Sequence, residues 1–385
     1  HVHHGLSHHA DRWADFCTTL CPTLDVGLQV ARVTIPRKSA AGTEATARAA
    51  RYQALLAVPA DFVVLAHHQD DQAETLLLQL TRGAGIKGLS AMAKVDSRRR
   101  LLRPLIDIGR DELHAYAIAH GLQWVEDESN QDIQYDRNHI RHHTLPALET
   151  RFPGVRKIIA RSASHIAEAS DLLNDLALLD AERCMRHQQL VVSELRLLSE
   201  ARARNLLRWW LAGQDVVLPS TARLQEMLHQ LLDARPDAQV KMAIGPQGTC
   251  LRRYQDMVYL DQELPTEPFS LIWKGEDTLS LPDGSSLRFL LGHGHGLAYQ
   301  RLGIDRLRVA QRAGGERFKP DLGRPSRTLK HLLQEANMPP WQRQRLPLIY
   351  HEDSLALVPG IGVAADLQAA EHEPALNITW QQAAG

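Results

Sequence analysis

The sequence predicts a multidomain α/β protein, and three observations carry that expectation. The chain has 385 residues, more than one ordinary core organises, since domains usually run about 100–200 residues. Its first 150 residues alternate strand-like and helix-like patterns at the spacing of βαβ units, which build parallel sheets. The texture then changes twice, to a helical period near Val155 and to short strands between turn dipeptides near Val240. The expected order is a Rossmann-like parallel-sheet domain (residues 1–150), an all-α domain (151–264) and a small α+β domain (269–385), with Pro265-Thr266-Glu267-Pro268 as a linker.

Residues 26–35 alternate well enough for a strand, and 41–57 have helical spacing with Ala45, Ala49, Leu55 and Leu56 on the apolar side. The continuous apolar run at 62–66 suits a strand buried on both faces. A helix is expected to start near Asp71, where Asp71 and Glu74 have the spacing of a capping box, with Leu76, Leu77 and Leu80 as its apolar stripe. Residues 111–120 read as another helix and Trp124-Val125 as a short strand. From Val155 to Arg235 the pattern is helical throughout: Ile158, Ile159, Ile166, Leu172, Leu173, Leu176 and Leu179 form one stripe, 200–211 and 221–232 form others, and Pro219 and Pro236 break them. Beyond Val240, Gly245-Pro246, Asp283-Gly284 and Gly314-Gly315 mark turns, 257–260, 287–291 and 354–358 read as strands, and 326–337 as a helix. No internal repeat interrupts this reading.

Composition narrows the class. Hydrophobic residues make up 44% and charged residues 23%, which is ordinary for a globular protein. No apolar run reaches the roughly 18 residues of a helical membrane span, and the polar, histidine-rich start is no signal peptide. Four cysteines, Cys17, Cys21, Cys184 and Cys250, make no disulfide framework and no paired zinc knuckle, so reduced thiols in a cytoplasmic protein are expected. The net charge of −1 advertises no nucleic-acid partner, but between Arg301 and Arg345 eleven cations face four anions. That stretch is either a solvated basic face or a phosphate-binding surface.

The densest chemistry lies in Ala66-His67-His68-Gln69-Asp70-Asp71-Gln72-Ala73-Glu74-Thr75. It sits at the carboxyl end of a predicted parallel strand, where open α/β sheets place ligands. Its carboxylates suit Mg²⁺ or a cationic amine, or simply helix capping. Arg82-Gly83-Ala84-Gly85-Ile86-Lys87-Gly88 matches GxGxxG but ends a helix instead of opening one, so it is no dinucleotide fingerprint. Gly83 reads as a C-cap residue, and Arg82 and Lys87 either meet phosphates or are plain helix-end charges. Glu44, Arg48 and Arg51 share one helix face, which an exposed ion pair explains cheaply. An acidic-to-basic switch, Glu126-Asp127-Glu128-Ser129-Asn130 and then Tyr135-Asp136-Arg137-Asn138-His139-Ile140-Arg141, combines a turn with arginines suited to phosphate or ribose. His1, His3, His4, His8 and His9 lack matching carboxylates nearby for a metal site.

Together these clusters resemble the tRNA(Ile)-lysidine synthetase family of N-type ATP pyrophosphatases. The matching pieces, in the family's order, are His3-His4-Gly5-Leu6-Ser7, the run from Glu44 to Tyr52, the run from Ala66 to Thr75, Arg82-Gly83-Ala84-Gly85, Gly88-Leu89-Ser90-Ala91-Met92, Arg103-Pro104-Leu105, and the segments at 126–130 and 137–141. In the tail, Arg317-Phe318-Lys319-Pro320, the run from Leu329 to Glu335 and Pro339-Pro340-Trp341 also look similar.

The resemblance implies a first domain that binds nucleotide, and a reaction in which ATP and Mg²⁺ adenylate C2 of the wobble cytidine of a CAU-anticodon tRNA(Ile). The ε-amine of free lysine then displaces AMP to give lysidine. On this reading Asp70, Asp71, Glu74 and Arg82 are catalytic, with Asp71 and Glu74 near Mg²⁺ or the lysine amine and Arg82 on the phosphates. His67, His68, Glu44, Arg48 and Arg51 line the nucleotide cleft. Asp127, Asn130, Arg137, Asn138 and Arg141, with Arg317, Lys319 and Lys330 in the tail, meet tRNA. The partners implied are tRNA, free L-lysine and a second copy in a homodimer, with no membrane.

One departure stands out. The family's Ser-Gly-Gly-x-Asp-Ser pyrophosphate loop precedes the His-Val-His-His-Gly-Leu-Ser segment, and here the sequence begins at His1. The expectations are a first domain truncated by its first strand and loop, a gap or open edge in its sheet, and weak ATP binding, because the backbone N–H groups of such a loop cradle phosphates. A chain naturally without that loop is expected to be a non-catalytic tRNA-binding remnant. Two further alternatives are a metal-dependent phosphohydrolase on His67, His68, Asp70 and Asp71, and a pyrophosphatase-group enzyme acting on another base or a small metabolite.

Overall fold

The computed structural model describes residues 1–35, 43–214, 216–235, 238–245, 248–263, 267–302, 307–320 and 325–381, with backbone only for Thr43 and Glu44. Glu44, Pro236, Pro246, Asp305, Arg306, Asp321, Arg324 and the Pro265-Thr266 part of the expected linker thus lie outside what is described. The architecture is mixed α/β, with parallel and antiparallel sheets. The chain divides into two compact units, His1–Leu176 and Ala177–Gly385.

The first unit opens with β1 (Val2–His3), α1 (Ala10–Thr23) and β2 (Ala31–Arg32), β1 and β2 pairing in parallel. Next come α2 (Thr43–Leu56), β3 (Val63–Val64), α3 (Gln69–Thr81), α4 (Ile86–Leu89), β4 (Val95–Asp96) and β5 (Leu101–Leu102). Strands β3 and β5 are parallel with Val63 opposite Leu101, β4 runs antiparallel to β5, and the sheet order is β3-β5-β4. Both parallel pairs are joined through helices, as βαβ spacing requires. The strand at β3 is not buried on both faces as its apolar run suggested. Among the described residues it is an edge strand beside β5, and Phe62 and Val64 are 41% and 61% exposed. The strand expected over 26–35 shrinks to two residues, and none forms at Trp124-Val125, whose side chains are exposed.

Helix α3 begins two residues before the expected start. Its N-cap is His68, and Asp71 caps it from inside, accepting the His68 N–H at 2.9 Å. Ala73 and Leu76 point inward, and Ala73, Ile140 and Leu145 form a small core with Leu77, Leu78 and Ile159 against it, while Leu80 is exposed. Gly83 follows the helix with φ 67° and its N–H on the Leu80 carbonyl at 3.0 Å, the left-handed C-terminal turn that glycine favours. A Cβ on Gly88 would stand 2.7 Å from that of Ala84, so the third glycine serves close packing. After α5 (Arg110–Ala119) the chain makes a 3-10 turn at Glu128–Gln131, α6 (Asp136–His139), a π-helical turn at Ile140–Thr144, and α7 (Leu145–Arg151). Helix α8 (Val155–Cys184) runs 30 residues across the boundary between the units. Its predicted single stripe splits: Ile159, Ile166 and Leu173 turn toward protein, whereas Ile158, Leu172 and Leu179 are exposed.

The second unit corrects the all-α expectation. After α8 come β6 (Met185–Arg186), β7 (Gln189–Val191), α9 (Val192–Leu195), α10 (Glu200–Ala212), α11 (Thr221–Asp233), β8 (Lys241–Ala243), β9 (Thr249–Tyr254) and β10 (Met257–Gln262). The strands form one antiparallel sheet, β6-β7-β10-β9-β8. Leu190, Leu251 and Val258 of the sheet share a core with Leu206, Leu207, Trp210, Met227, Leu228 and Leu231 of the helices. The helical period hid the β6–β7 hairpin because its turn is two residues long, His187-Gln188, both at positive φ, the geometry of a tight hairpin.

The rest is β11 (Ser270–Ile272), β12 (Thr278–Ser280), β13 (Ser286–His293), β14 (Leu297–Ala298), β15 (Leu307–Gln311), β16 (Arg317–Phe318), β17 (Arg327–Thr328), α12 (Leu329–Glu335), α13 (Pro340–Arg345), β18 (Pro347–His351), β19 (Ser354–Val358), β20 (Gly362–Val363) and β21 (Pro374–Gln381). Two sheets, β11-β15-β18-β19-β20 and β12-β13-β21-β14, contribute to one core in which Trp273 stacks on Phe289 at 4.7 Å. The four cysteines are free thiols. No helix among the described residues is long and apolar enough to cross a membrane.

Candidate active site

Helix α3 places its acidic residues on two faces, and each face meets its own arginines. Asp71 and Glu74, one turn apart, point together at the segment that carries Arg137 and Arg141. Glu74 is fully buried. Its Oε2 accepts from Arg137 Nε at 2.7 Å and Arg141 Nη2 at 2.9 Å, and its Oε1 from Arg141 Nε at 2.6 Å. Asp71 Oδ1 accepts from Arg137 Nη2 at 2.8 Å and Arg141 Nη2 at 3.3 Å, and its Oδ2 takes the His68 N–H. Two carboxylates and two guanidiniums thus form one closed lattice, the arrangement that makes buried charge tolerable. Burial alone would lower the pKa of Arg141, but Glu74, Asp71 and Asp70 outweigh it and raise it above the ordinary arginine value.

Asp70 faces away from that lattice. Its Oδ1 accepts the Arg110 N–H at 3.0 Å and its Oδ2 Arg156 Nη1 at 2.6 Å. Burial pushes this carboxyl up, and the Arg110 N–H, Arg156 and His68 together bring it below its ordinary value. Arg156 was not among the expected site residues. It lies 86 residues from Asp70, and no local pattern announces it. Arg103, known only as part of a resembling tripeptide, is buried, donating to His67 Nδ1 at 3.3 Å and the Ala93 carbonyl at 2.6 Å. Burial lowers the pKa of His67 from 6.5 to about 4; Asp71 opposes this, and Arg103, Arg137 and Arg48 add to it. At neutral pH the ring is therefore uncharged.

The other expected residues divide. Arg82 is exposed, 3.3 Å from Asp136, the first residue of α6. Arg48 and Arg51 are exposed on α2, Arg48 lying over the Tyr52 ring at 5.3 Å, and the side chain of Glu44 is outside the described residues. Asp127 accepts from the Ser129 N–H at 2.9 Å, and buried Asn138 donates to the carbonyls of Ser129 and Asp132 at 2.8 and 2.9 Å. Both hold the 127–132 loop. The Asn130 carbonyl accepts from His142 at 2.8 Å, and Ser7 donates to Glu128, which joins the first motif to this one. In the tail, Arg317, Lys319 and Lys330 are exposed, and Lys319 and Lys330 have no carboxylate partner among the described residues. Much of the remaining basic stretch is spent inside the unit: Arg345 on Asp261 at 2.8 Å, Arg343 on Tyr254 at 2.7 Å, Arg327 on Glu335 at 2.7 Å and Arg312 on Glu316 at 3.3 Å.

Asp71 and Glu74 do not fit Mg²⁺ in this arrangement. All four of their oxygens accept N–H donors, and Mg²⁺ demands free oxygens in near-octahedral array. Among the described residues, no group of three or more His, Cys, Asp or Glu side chains is placed to hold a metal ion.

A family model described as "PP-loop domain" matches residues 1–148, which contain Asp71, Glu74, Arg137 and Arg141 but not Arg156, the partner of Asp70. The first unit is therefore of the PP-loop class. Models described as "TilS substrate binding domain" and "TilS substrate C-terminal domain" match residues 190–259 and 307–380. A Nitrosomonas europaea protein named tRNA(Ile)-lysidine synthase is 43% identical over 387 residues, 99% of this chain and 84% of that protein. Its namesake in Azoarcus sp. is 42% identical over 99% and 84% of the two chains, and that of Xanthomonas campestris pv. campestris 39% identical over 100% and 88%. The chain belongs to the tRNA(Ile)-lysidine synthase family, a family of carbon–nitrogen ligases.

Proposed function

We propose that the protein ligates free lysine to C2 of the wobble cytidine in a CAU-anticodon tRNA(Ile), through an adenylated tRNA intermediate. The observation that carries the reading is the buried Asp71–Glu74 pair at the head of α3, whose negative charge is met by the guanidiniums of Arg137 and Arg141, with the His68 ring beside Asp71. A substrate ammonium is a chemical substitute for a guanidinium there, so the pair serves as the seat of the lysine ε-amine. The same carboxylates take up the proton that the amine must lose before it attacks. ATP activates the cytidine oxygen by making it a leaving group. Exposed Arg82 steadies the phosphate charge of the adenylate. Neutral His67, with His68 and the arginines of α2, borders the nucleotide. Mg²⁺ enters with the phosphates, and no residue of this chain is assigned to it.

The finer architecture belongs to the same proposal: a Rossmann-like nucleotide-binding domain, a substrate-binding domain, and an α+β C-terminal domain whose exposed Arg317, Lys319 and Lys330 meet the tRNA backbone. Asp127, Asn130 and Asn138 act by shaping the 127–132 loop at the tRNA entrance.

The test is ATP-dependent incorporation of labelled lysine into a CAU-anticodon tRNA(Ile) transcript by the protein in its natural full length. Arg82→Ala leaves the buried lattice intact and should lower incorporation by about 10²–10³, the scale of one transition-state charge contact. Intact tRNA binding with no lysine transfer by the parent protein would overturn the assignment.

A further inference from the structure

In the first unit two side chains just past the ends of neighbouring strands meet each other. His67 follows β3 and Arg103 follows β5, which pair in parallel, and beyond β3 the Leu65 N–H still reaches the Leu102 carbonyl at 2.8 Å. Both residues therefore emerge side by side at the carboxyl ends of the strands, where α/β sheets present their ligands. The Arg103 backbone is fixed as well, its N–H donating to the Lys94 carbonyl at 2.8 Å. Its side chain is buried, Arg103 being 5% exposed, and donates from Nε to His67 Nδ1 at 3.3 Å and from Nη1 to the Ala93 carbonyl at 2.6 Å. Among the described residues no carboxylate pairs with it. A buried charge without a counter-ion is costly, so stability alone does not account for an arginine at this position.

The contact dictates the protonation of the ring. A guanidinium keeps its protons and can only donate. The Nδ1 that faces it is therefore the acceptor, which leaves the single proton of a neutral imidazole on Nε2. An imidazolium would set an Nδ1–H against the Nε–H of Arg103, donor against donor. Burial and the cations of Arg103, Arg137 and Arg48 act against protonation of this ring, and Asp71 acts for it. Nε2 makes no hydrogen bond to a described residue. The neighbouring His68 ring instead faces carboxylates, Asp71 at 3.5 Å and Asp70 at 4.0 Å.

We propose that Arg103 is a positioning residue that holds His67 as a neutral imidazole protonated on Nε2, so that the ring offers one uncharged N–H to a phosphate oxygen of the nucleotide. The phosphate end of this proposal rests on the proposed reaction; the tautomer does not. Charge matters because Asp71 is the seat of the substrate ammonium there. A cationic ring nearby would compete for that carboxylate, and a ring protonated on Nδ1 would turn a lone pair toward the phosphate. A neutral imidazole held as a donor meets both demands.

Long-range proton–nitrogen NMR of the natural full-length protein, with nitrogen-15 in its histidines, reads the tautomer directly. His67→Gln identifies the His67 signals by their loss. The parent should show a protonated Nε2 and an unprotonated Nδ1 at neutral pH, and saturating ATP with Mg²⁺ should shift the Nε2 resonance. Arg103→Met keeps the stem and removes the donors. In it, Nδ1 protonation should appear, and the ring should titrate at a higher pH than the parent's value of about 4, since the Arg103 charge no longer opposes the proton. Its lysine incorporation should fall about tenfold, the scale of one neutral hydrogen bond. Circular dichroism shows whether Arg103→Met is folded, and the parent spectrum needs no variant. A parent ring protonated on Nδ1 or on both nitrogens at neutral pH, a folded Arg103→Met with the parent's tautomer, or an Nε2 signal that saturating ATP leaves in place would overturn the proposal. A parent that transfers no lysine yet shows this tautomer and this response to ATP would sink the reaction alone and support the role of Arg103.

Discussion

Asp71 and Glu74 were visible in the sequence as chemistry, but their partners were not. The arginines that close the lattice lie 63 to 70 residues further along the chain, and they read there as phosphate ligands because nothing local shows which way a guanidinium turns. Their burial sets the energetics. Arg141→Ala leaves Glu74, with no exposed surface, short of two of its three donors, and should destabilise the protein by about 3–5 kcal/mol, the usual cost of breaking a buried pair; urea denaturation measures it. His67 gives a pH signature. Its pKa falls from 6.5 to about 4 on folding, so the unfolded chain takes up the proton first as the pH drops. Its contribution to stability is complete above about pH 6.5 and is lost as the pH falls through that window towards 4. A His67→Gln variant should show a shallower loss of stability between these values than the parent. Equal slopes would mean that the ring titrates normally.

At the scale of elements, long periodic helices were legible and short strands were not. The helices at α2, α3, α5, α10 and α11 fall within a few residues of their expected bounds, because an amphipathic period accumulates over three or four turns. A two-residue strand such as β2 or β3 has no period to show. The β6–β7 hairpin sits between a 30-residue helix and another helix, and its turn uses His187 and Gln188, where Gly or Asn is usual. Left-handed backbone at a residue with a Cβ costs roughly 1–2 kcal/mol. Gln188→Gly should therefore stabilise the protein by up to about 1 kcal/mol, after the extra chain entropy glycine brings, and raise the urea midpoint. A lower midpoint would show that the Gln188 side chain contributes more than its strain removes.

For the whole molecule, the distribution of core matters most. The first unit's described core is a small cluster around Ala73, Ile140 and Leu145, whereas the second unit holds larger clusters around Trp210 and Met227 and around Trp273 and Leu287. Calorimetry should resolve more than one transition, the first unit melting at the lower temperature, since separate cores need not unfold together. Trp210→Ala, removing a side chain that is 4% exposed, should cost about 3–5 kcal/mol in the later transition and leave the first unmoved. A single transition shifted as a whole would show that the units unfold as one. The sequence by itself determined the succession of textures, the βαβ character of the first unit, the acidic head of α3 and the family, because these rest on local periodicity and on contiguous motifs. Only the tertiary structure decided which arginine neutralises which carboxylate, that the helical region closes on a five-stranded sheet, and how much of the basic tail is consumed inside its own unit. Those outcomes depend on pairings between residues far apart in the chain, and ion pairs and sheet neighbours are chosen by distance in space.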